Sequence, residues 1–240
     1  MGVVYNGSLT DALNQFHDSS MQNASEVVRE ALRRYCFENH EPGSTGVYDL
    51  NKLLVAFNGG KDCTLMLEVI VRVTRQLPKI RGSLRLMYIR DPPDETFEEV
   101  SEFVERTKLK YGMESIEVSN GSMRSALEQI VREHPEVKGI FMGTRSTDPN
   151  AGWMDYFCTT SKGWPQIDLV APLFYMSYGD VWRNIHALGI SYCDLYNKGY
   201  TSIGSKSTTQ PNPLLRVEQT SVYLHADKLL DESKERCGRK

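Results

Sequence analysis

The sequence predicts an α/β fold built on a doubly wound, mostly parallel sheet, with N-terminal helices and an irregular C-terminal extension. Two observations predict it. Apolar segments of strand length alternate with amphipathic segments of helical length from residue 52 to residue 142, and this alternation implies strand–helix–strand crossovers. The segment 53–57 is apolar without interruption, as expected of a strand that is covered on both faces.

Each element of the first half has its own signal. Apolar and small residues recur at helical spacing over 23–39, which predicts an amphipathic helix. Pro42, Gly43 and Gly46 break that pattern and predict a linker over 41–46. A helix over 64–76 is apolar on most sides, so we expect it to pack deeply against the sheet. The remaining predictions are strands over 52–57, 84–89, 115–118 and 138–142, and helices over 95–111 and 123–133.

The second half has weaker periodicity. Ser177 and Asp180 have the spacing of a capping box that opens a helix over 177–188, and Gly189 ends it. The segment 192–213 is rich in Gly, Ser, Thr, Asn and Pro, and irregular segments of this length usually serve a site. A last helix is predicted over 222–232, before a basic tail over 234–240. We therefore expect a single domain with an N-terminal extension (1–46), a nucleotide-binding core (47–190) and a C-terminal segment (191–240).

Composition excludes several classes of protein. The 240 residues carry a net charge of −3, so bulk positive charge does not hold a nucleic acid. No apolar segment approaches the roughly 20 residues that span a membrane, and residues 1–14 lack the features of a secretory signal. The five cysteines include no Cys-x-x-Cys pair, which favours a reducing compartment, here the cytoplasm, over a disulfide framework or a cysteine zinc site.

The most informative turn joins the strand over 52–57 to the helix that follows. Two glycines allow positive φ and close approach to an oxyanion, and the helix start offers unpaired N–H groups. Lys61 adds a mobile point charge, while Asn58 and Asp62 supply hard oxygens suited to Mg²⁺ that is shared with phosphates. An ordinary strand-to-helix turn is the alternative. The Walker A pattern is absent, so the turn predicts another kind of phosphate site.

The segment 56–63 resembles the PP-loop of the adenine-nucleotide α-hydrolase group, which is Rossmann-like, in the variant typical of eukaryotic FAD synthases (FMN adenylyltransferases). Further blocks resemble that family in the same order. They are the second strand at 86–89, a "GSMxxAL" helix start at 121–127, "MGxRxTDP" at 142–149, the Trp-Pro to Asp-Val-Trp line at 163–182, and "YCxLYxxGYTSLG" with "PNP" at 192–213.

The resemblance implies MgATP on the loop, FMN in a neighbouring cleft, and FAD as product. It implies that ATP is bound by Ala56, Phe57, Asn58, Gly59, Gly60, Lys61, Asp62, Ile89, Gly143 and Arg145. It implies that FMN is bound by Asp148, Ser161, Lys162, Gly163, Trp164 and Arg239. The implied catalytic residues are Asn58, Asp62, Asp148, Arg236 and Arg239, with Asn58 holding Mg²⁺ together with the phosphates.

Arg236 and Arg239 resemble the family's C-terminal "ERxxR" pair, and arginine suits the neutralisation of phosphate charge. We expect this tail to be mobile and to close over bound substrates. The FMN phosphate is already ionised at neutral pH, so none of the five histidines needs a catalytic role, and His186 is expected to be structural or on the surface. Two residues depart from the family: Ser161 stands where Asp is usual, and Leu169 where Arg is usual.

Two alternatives remain open. A phosphoadenylyl-sulfate reductase shares the fold and uses a C-terminal cysteine, which would be Cys237, although the surrounding Arg-Cys-Gly-Arg lacks the expected context. A nucleotide- or flavin-binding module without catalysis would follow from the changes at Ser161 and Leu169. For the adenylyltransferase we expect a monomer with small-molecule partners only, apart from delivery of FAD to apoflavoproteins.

Overall fold

The computed structural model describes residues 18–39, 46–90, 92–119 and 122–240. The predicted linker over 41–46 lies outside these ranges except for its last residue, and so does Gly121 of the "GSMxxAL" block. Within the described residues, no helix is long and apolar enough to cross a membrane.

The main sheet confirms the predicted α/β class. Its strands are β3 (Leu53–Ala56), β5 (Arg85–Arg90), β6 (Ser115–Ser119), β7 (Gly139–Phe141), β8 (Phe157–Thr159) and β9 (Asp168–Val170). Their order is β6-β5-β3-β7-β9-β8, and every neighbouring pair is parallel except β8 with β9. The central strand β3 pairs with β5 on one side and β7 on the other, and Leu53, Leu54 and Val55 are fully buried. Burial on both faces explains their unbroken apolar sequence.

Three helices connect these strands as predicted. They are α2 (Lys61–Thr74), α3 (Glu98–Tyr111) and α4 (Met123–Glu133). Twelve of the 14 residues of α2 are buried, which confirms that it packs deeply. Helix α5 (Tyr178–Ala187) begins with the predicted capping box of Ser177 and Asp180 and is followed by Gly189 at φ +60°.

The N-terminal region differs from its prediction. Helix α1 (Ser19–Ala31) is capped by Asp18 and continues as one π-helical stretch, Leu32–Cys36. The predicted helix to residue 39 was too long, because β1 (Phe37–Glu38) is extended and pairs with β2 (Val47–Asp49). With β4 (Ile80–Arg81), these strands form a small separate sheet.

The helix predicted over 222–232 was wrong. Residue 223 bridges to Arg216, and the amide of Leu224 donates to the carbonyl oxygen of Leu215, so this part of the segment is extended. Only short 3₁₀ turns follow, at Ala226–Lys228 and Glu232–Lys234. Val222 and Leu230 lie exposed, so the apolar residues of this segment do not all face the core. The hairpin of β8 and β9 had no prediction at all.

Strand order fixes where a ligand can enter. From β3 the chain proceeds to β5 and β6 on one side of the sheet, and then crosses β3 to add β7 and β9 on the other. The carboxyl ends of β3 and β7 therefore flank the point at which the direction of winding reverses. Ligands of doubly wound sheets bind at this point.

Candidate functional site

A cavity of 540 Å³ opens at the switch point between β3 and β7. Its size is within the range of small-molecule sites, roughly 300–1,000 Å³. Of the residues named from the sequence, the cavity is lined by Ala56, Phe57, Asn58, Gly60, Lys61, Asp62, Ile89, Gly143, Asp148 and Arg236. The loops after the parallel strands β3 and β7 thus meet at one edge of the sheet.

The turn after β3 is held by its own side chains. Gly59 has φ +76° and lies against Val100 and Val104, so a side chain there would be strained. The Asn58 Oδ1 atom accepts from the amide of Gly60 at 3.0 Å and from the thiol of Cys63 at 3.0 Å. Asn58 itself remains exposed at the cavity. This arrangement places the start of α2, where the helix dipole is positive, at the cavity wall.

Lys61 and Arg145 belong to a buried cluster of four charges. The ammonium of Lys61 lies 2.9 Å from Asp62 Oδ2 and also pairs with Glu235. Arg145 Nε lies 2.8 Å from Asp62 Oδ1, and its Nη2 pairs with the other oxygen of Glu235. The side chains of Lys61 and Arg145 are 2% and 1% exposed. The expectation that Lys61 is a mobile charge is therefore wrong, because two carboxylates hold and neutralise it.

The cluster shifts the titration of its members. Burial would raise the pKa of Asp62, but Lys61 and Arg145 reverse that effect and hold it below its ordinary value. Burial likewise would lower the pKa of Arg145, and the carboxylates of Asp62 and Glu235 raise it above its ordinary value instead. Asp62 and Arg145 therefore keep their charges at neutral pH.

Glu235 and Tyr196 both line the cavity, although the sequence did not predict them as site residues. The Tyr196 hydroxyl accepts the backbone N–H of Lys61 at 2.7 Å, and burial raises its pKa well above 10. Glu235 lies 174 positions from Lys61, so no local pattern could pair them. The acidic residue of the "ERxxR" resemblance was the one available signal for Glu235.

The loop after β7 presses directly on α2. A Cβ atom at Gly143 would lie 2.8 Å from the amide nitrogen of Cys63 and 3.0 Å from its Cα. Asp148 closes the same loop, because its Oδ2 accepts from the amide of Arg145 at 2.9 Å. The Asp148 carboxylate faces the cavity. Arg145 does not line the cavity and instead pairs with Asp62 and Glu235, which do.

Arg236 and Arg239 are the other two cations near the cavity. Arg236 is exposed and lines it, whereas the Arg239 guanidinium packs over Gly204 and reaches Ser202 Oγ at 3.5 Å. Within the described part of the chain, neither arginine forms an ion pair with a carboxylate. Burial, and then repulsion by Arg236, lowers the pKa of Arg239 below its ordinary value. An anion at this position would relieve the repulsion.

The tail that carries these arginines is held in place. The amide of Gln210 donates to the carbonyl oxygen of Gly238, and that of Lys240 donates to the carbonyl oxygen of Thr208, both at 2.9 Å. The Asn212 side chain donates to the Lys234 carbonyl oxygen at 2.9 Å. These bonds hold the segment beside the cavity, and its expected closure over bound substrates stays a prediction.

The residues predicted to bind FMN do not all come together. Ser161, Lys162, Gly163 and Trp164 form the turn between β8 and β9, and none of them lines the cavity. Trp164 is 38% exposed, and Arg124 of α4 approaches its ring at 5.9 Å and donates to the Gly163 carbonyl oxygen at 3.0 Å. Leu169, by contrast, is a buried core residue of β9, so an arginine would not fit there without changing the packing.

The cysteines differ in whether they line the cavity. Cys63 lines the cavity, but burial raises the pKa of its thiol to about 12, so it is not a thiolate at neutral pH. Cys237 is exposed and does not line the cavity. Within the described residues, therefore, no cysteine combines exposure with a place in the cavity wall.

Comparison with known proteins adds independent information. Residues 52–211 match the phosphoadenosine phosphosulfate reductase domain family. A probable FAD synthase of Schizosaccharomyces pombe is 32% identical over 210 residues, which cover 85% of this chain and 75% of that protein. A probable FAD synthase of Caenorhabditis elegans is also 32% identical, over 80% of this chain but only 37% of that protein. The crystal structure of Candida glabrata FMN adenylyltransferase has a TM-score of 0.80 at 21% identity and matches 96% of this chain and 93% of that chain.

Proposed function

The chain belongs to the FAD synthases, a family with the phosphoadenosine phosphosulfate reductase domain, and on that basis we propose that it transfers the adenylyl group of MgATP to the phosphate of FMN, which gives FAD and pyrophosphate. One observation carries the proposal beyond the family. The cavity combines a helix N-terminus with Arg236, which lines it, and Arg239 reaches Ser202 of its wall; no carboxylate of the described chain neutralises either arginine.

The two ends of the cavity suit the two ends of ATP. Its apolar wall is formed by Met87, Ile89, Met123 and Met142, and methionine adapts well to a flat ring. The turn over 58–62 and the start of α2 form a separate, polar part of the cavity wall. The proposal therefore places adenine against the apolar wall and the phosphates at the turn, where backbone N–H groups bind oxyanions.

The charges have separate roles in this proposal. Lys61, Asp62, Arg145 and Glu235 neutralise one another and keep the turn in its shape. Arg236 and Arg239 remain to stabilise the negative charge that spreads over the α-phosphorus and the leaving pyrophosphate. The cluster therefore organises the site, and the arginines bind the reacting groups.

The reaction needs no general base. The attacking FMN phosphate is already ionised at neutral pH, so the chain has to orient it in line with the leaving group and exclude water. Asp148 lies at the cavity wall beside the turn. We place it between the two substrates, where a Mg²⁺ ion held by its carboxylate would offset the repulsion between that carboxylate and the FMN phosphate.

The oxygen donors of the cavity fit Mg²⁺. Asn58 and Asp148 both line it, and side-chain oxygens are the ligands that Mg²⁺ prefers alongside water and phosphate. The Asn58 Oδ1 atom already accepts from the amide of Gly60 and the thiol of Cys63, so it binds the ion in place of one of these bonds. Asp62 fits less well, because Lys61 and Arg145 already hold its carboxylate. We therefore assign the metal to Asn58 and Asp148. When bound, Mg²⁺ neutralises phosphate charge.

The flavin side rests on the hairpin turn over 161–164. The exposed Trp164 ring can stack on a flat ligand. Lys162 is in the same turn and can bind the phosphate of that ligand. Both lie outside the cavity wall, so we propose that the isoalloxazine ring binds between the hairpin and the cavity mouth. The usual family Asp is Ser161 here, which leaves the flavin with one carboxylate fewer.

Incubation of the protein with FMN, ATP and Mg²⁺ tests the reaction, with FAD and pyrophosphate measured in equal amounts. Riboflavin is the control, because it has no phosphate to act as nucleophile and should give no product. Binding of FMN and MgATP without any FAD would instead support a binding module. Replacement of Cys237 with Ser should leave FAD formation intact, whereas a reductase would lose all activity.

We also propose a cytoplasmic monomer that passes FAD to apoflavoproteins. All five cysteines are free, and three of them are buried, which suits a reducing compartment. Sedimentation equilibrium checks the oligomeric state, and a dimer at micromolar concentration would contradict it. Reconstitution of an apoflavoprotein checks delivery: it should proceed faster with the synthase present than with the same amount of free FAD.

A further inference from the structure

A second cluster of potential ligands lies apart from the cavity, between α5 and the C-terminal segment. His186 is in the last turn of α5, His225 caps the 3₁₀ turn at Ala226–Lys228, and Asp227 lies within that turn. One ligand atom from each of the three lies within 4.8 Å of the other two. None of them lines the cavity, so the cluster has no part in the proposed reaction.

The spacing of these atoms suits a metal ion. His186 Nε2 lies 3.1 Å from Asp227 Oδ2, and His225 Nδ1 lies 2.8 Å from Asp227 Oδ1. Ligands about 2.0–2.1 Å from a tetrahedral zinc ion stand about 3.3 Å apart. A zinc ion could therefore be held with small side-chain rotations, and no backbone movement of an element is required.

The cluster holds buried polar atoms that lack a hydrogen-bond partner among the described residues. They are Asp227 Oδ1 and His225 Nε2. His225 Nδ1 accepts the backbone N–H of Asp227 at 3.0 Å and lies 2.8 Å from Asp227 Oδ1, so an ion that binds Nδ1 replaces this hydrogen bond. The same ion gives Asp227 Oδ1 the partner that it lacks, while Lys228 stays 3.4 Å from Oδ2.

The rings around the cluster hold it in position. Trp182 stacks on His186 with ring centroids 5.7 Å apart and an angle of 25°, and it meets His225 edge to face at 4.9 Å. Tyr192 packs edge to face against both histidines. Ligand rings that are fixed before binding lose little entropy on coordination. His186 is 44% exposed, so an ion has access from solvent.

We propose that His186, His225 and Asp227 form a structural site for a divalent transition metal, with Zn²⁺ as the ion whose ligand preference fits best and water in the fourth position. Two imidazoles with one carboxylate suit zinc, copper and nickel, whereas Mg²⁺ and Ca²⁺ prefer oxygen ligands alone. The ion joins α5 to the C-terminal segment, which also carries Glu235 and Arg236. Binding therefore stabilises the folded chain and leaves the chemistry at the cavity unchanged.

Titration of the full-length Cys237→Ser protein with ZnCl₂ tests the site, and this background removes the exposed thiol as a competing ligand. We expect one Zn²⁺ per chain and a rise in melting temperature of about 5 °C at 100 times the dissociation constant. His186→Ala, His225→Ala and Asp227→Asn should each weaken binding at least tenfold. His134→Ala is the matched control, because His134 lies elsewhere, beside Arg85 and Glu136, and should bind like the parent.

A second readout uses Trp182. Cu²⁺ should quench its fluorescence in a saturable way that EDTA reverses, and His186→Ala should remove the effect. If an alanine variant fails to fold, Asp227→Asn decides alone, since it keeps the size of the side chain. The proposal is overturned if Zn²⁺ does not bind saturably below about 100 µM, or if binding is equal in the three variants and the control.

Discussion

Arg236 and Arg239 differ from Lys61 and Arg145 in one respect that matters for catalysis. Carboxylates neutralise the second pair, and none in the described chain neutralises the first. Positive charge that is unpaired in the free protein is available to an incoming phosphate without a competing partner. At the scale of single residues, this separates the groups that build the site from the groups that act on its ligands.

We predict that Arg236→Gln lowers kcat about 10²–10³-fold, which is the usual cost of losing one donor to transition-state charge. The melting temperature should change little, because Arg236 is exposed and forms no ion pair in the described chain. Steady-state FAD formation gives kcat and KM. Arg132→Gln is the control, since Arg132 pairs only with Glu133 on the surface of α4. Equal activity of both variants would contradict the assigned role.

Glu235→Gln should act mainly on stability. Removing one partner of a buried ion pair leaves an uncompensated charge, at a cost of about 3 kcal/mol. In a chain of this length that lowers the melting temperature by roughly 6 °C or more. KM for ATP should also rise, because Lys61 and Arg145 would then compete for Asp62 alone and the turn would shift. Calorimetry and kinetics measure the two effects.

Glu232→Gln is the matched control for Glu235→Gln. The side chain of Glu232 is another carboxylate of the C-terminal segment. It accepts from the amides of Tyr178 and Gly179 at the start of α5, both at 3.0 Å. We expect a smaller loss of stability and no change in KM. If both variants raise KM alike, Glu235 does not act through the turn.

The residues of the turn could be predicted from sequence, but their ion pairs could not. The sequence 58–62 indicates a phosphate site through glycine geometry and a helix start, which are local properties. The neutralisation of Lys61 depends on Asp62 and Glu235, and both Glu235 and the second cation, Arg145, are distant in sequence. An electrostatic environment of this kind is a property of the fold, so a single motif predicts the place and not the charge.

At the scale of elements, the contact between the loop after β7 and α2 sets the width of the cavity. We predict that Gly143→Ala raises KM for ATP about tenfold and destabilises the fold by about 1–3 kcal/mol, because the new Cβ would meet the backbone of Cys63. Denaturant unfolding and kinetics test this. Gly152→Ala provides the control, since a Cβ there meets nothing within 4 Å. Wild-type KM in Gly143→Ala would show that the loop can retreat.

The elements that were predicted correctly have strong local signals. Helix α4 matches its predicted bounds, 123–133, and the capping box of α5 has both of its hydrogen bonds. The strands β8 and β9 have three residues each, too few for a period to emerge. The segment 222–232 fails for another reason: residues 222–224 form a short hairpin with the neighbouring segment 215–217, and this pairing overrides the helical propensity.

At the scale of the whole molecule, the C-terminal segment is part of the main core. Leu195, Tyr196, Leu215, Ala226 and Leu229 are buried in the same cluster as the residues of β3 and α2. Composition predicted an irregular segment that serves a site, and the 3₁₀ turns agree with that. It could not predict that the segment packs as tightly as the sheet, because its backbone bonds are made to distant parts of the chain.

This packing leads to a prediction about motion in the free protein. The amides of Gln210 and Lys240 donate to carbonyl oxygens of the opposite segment at 2.9 Å, and amides in such bonds exchange only when the bonds open. We predict that both are protected from hydrogen exchange without ligands, and that FMN and MgATP increase protection mainly at the turn over 58–62. Peptide-resolved exchange measures both regions. Exchange of 236–240 at the unfolded rate until substrates are added would restore the mobile tail, and closure would then be part of catalysis.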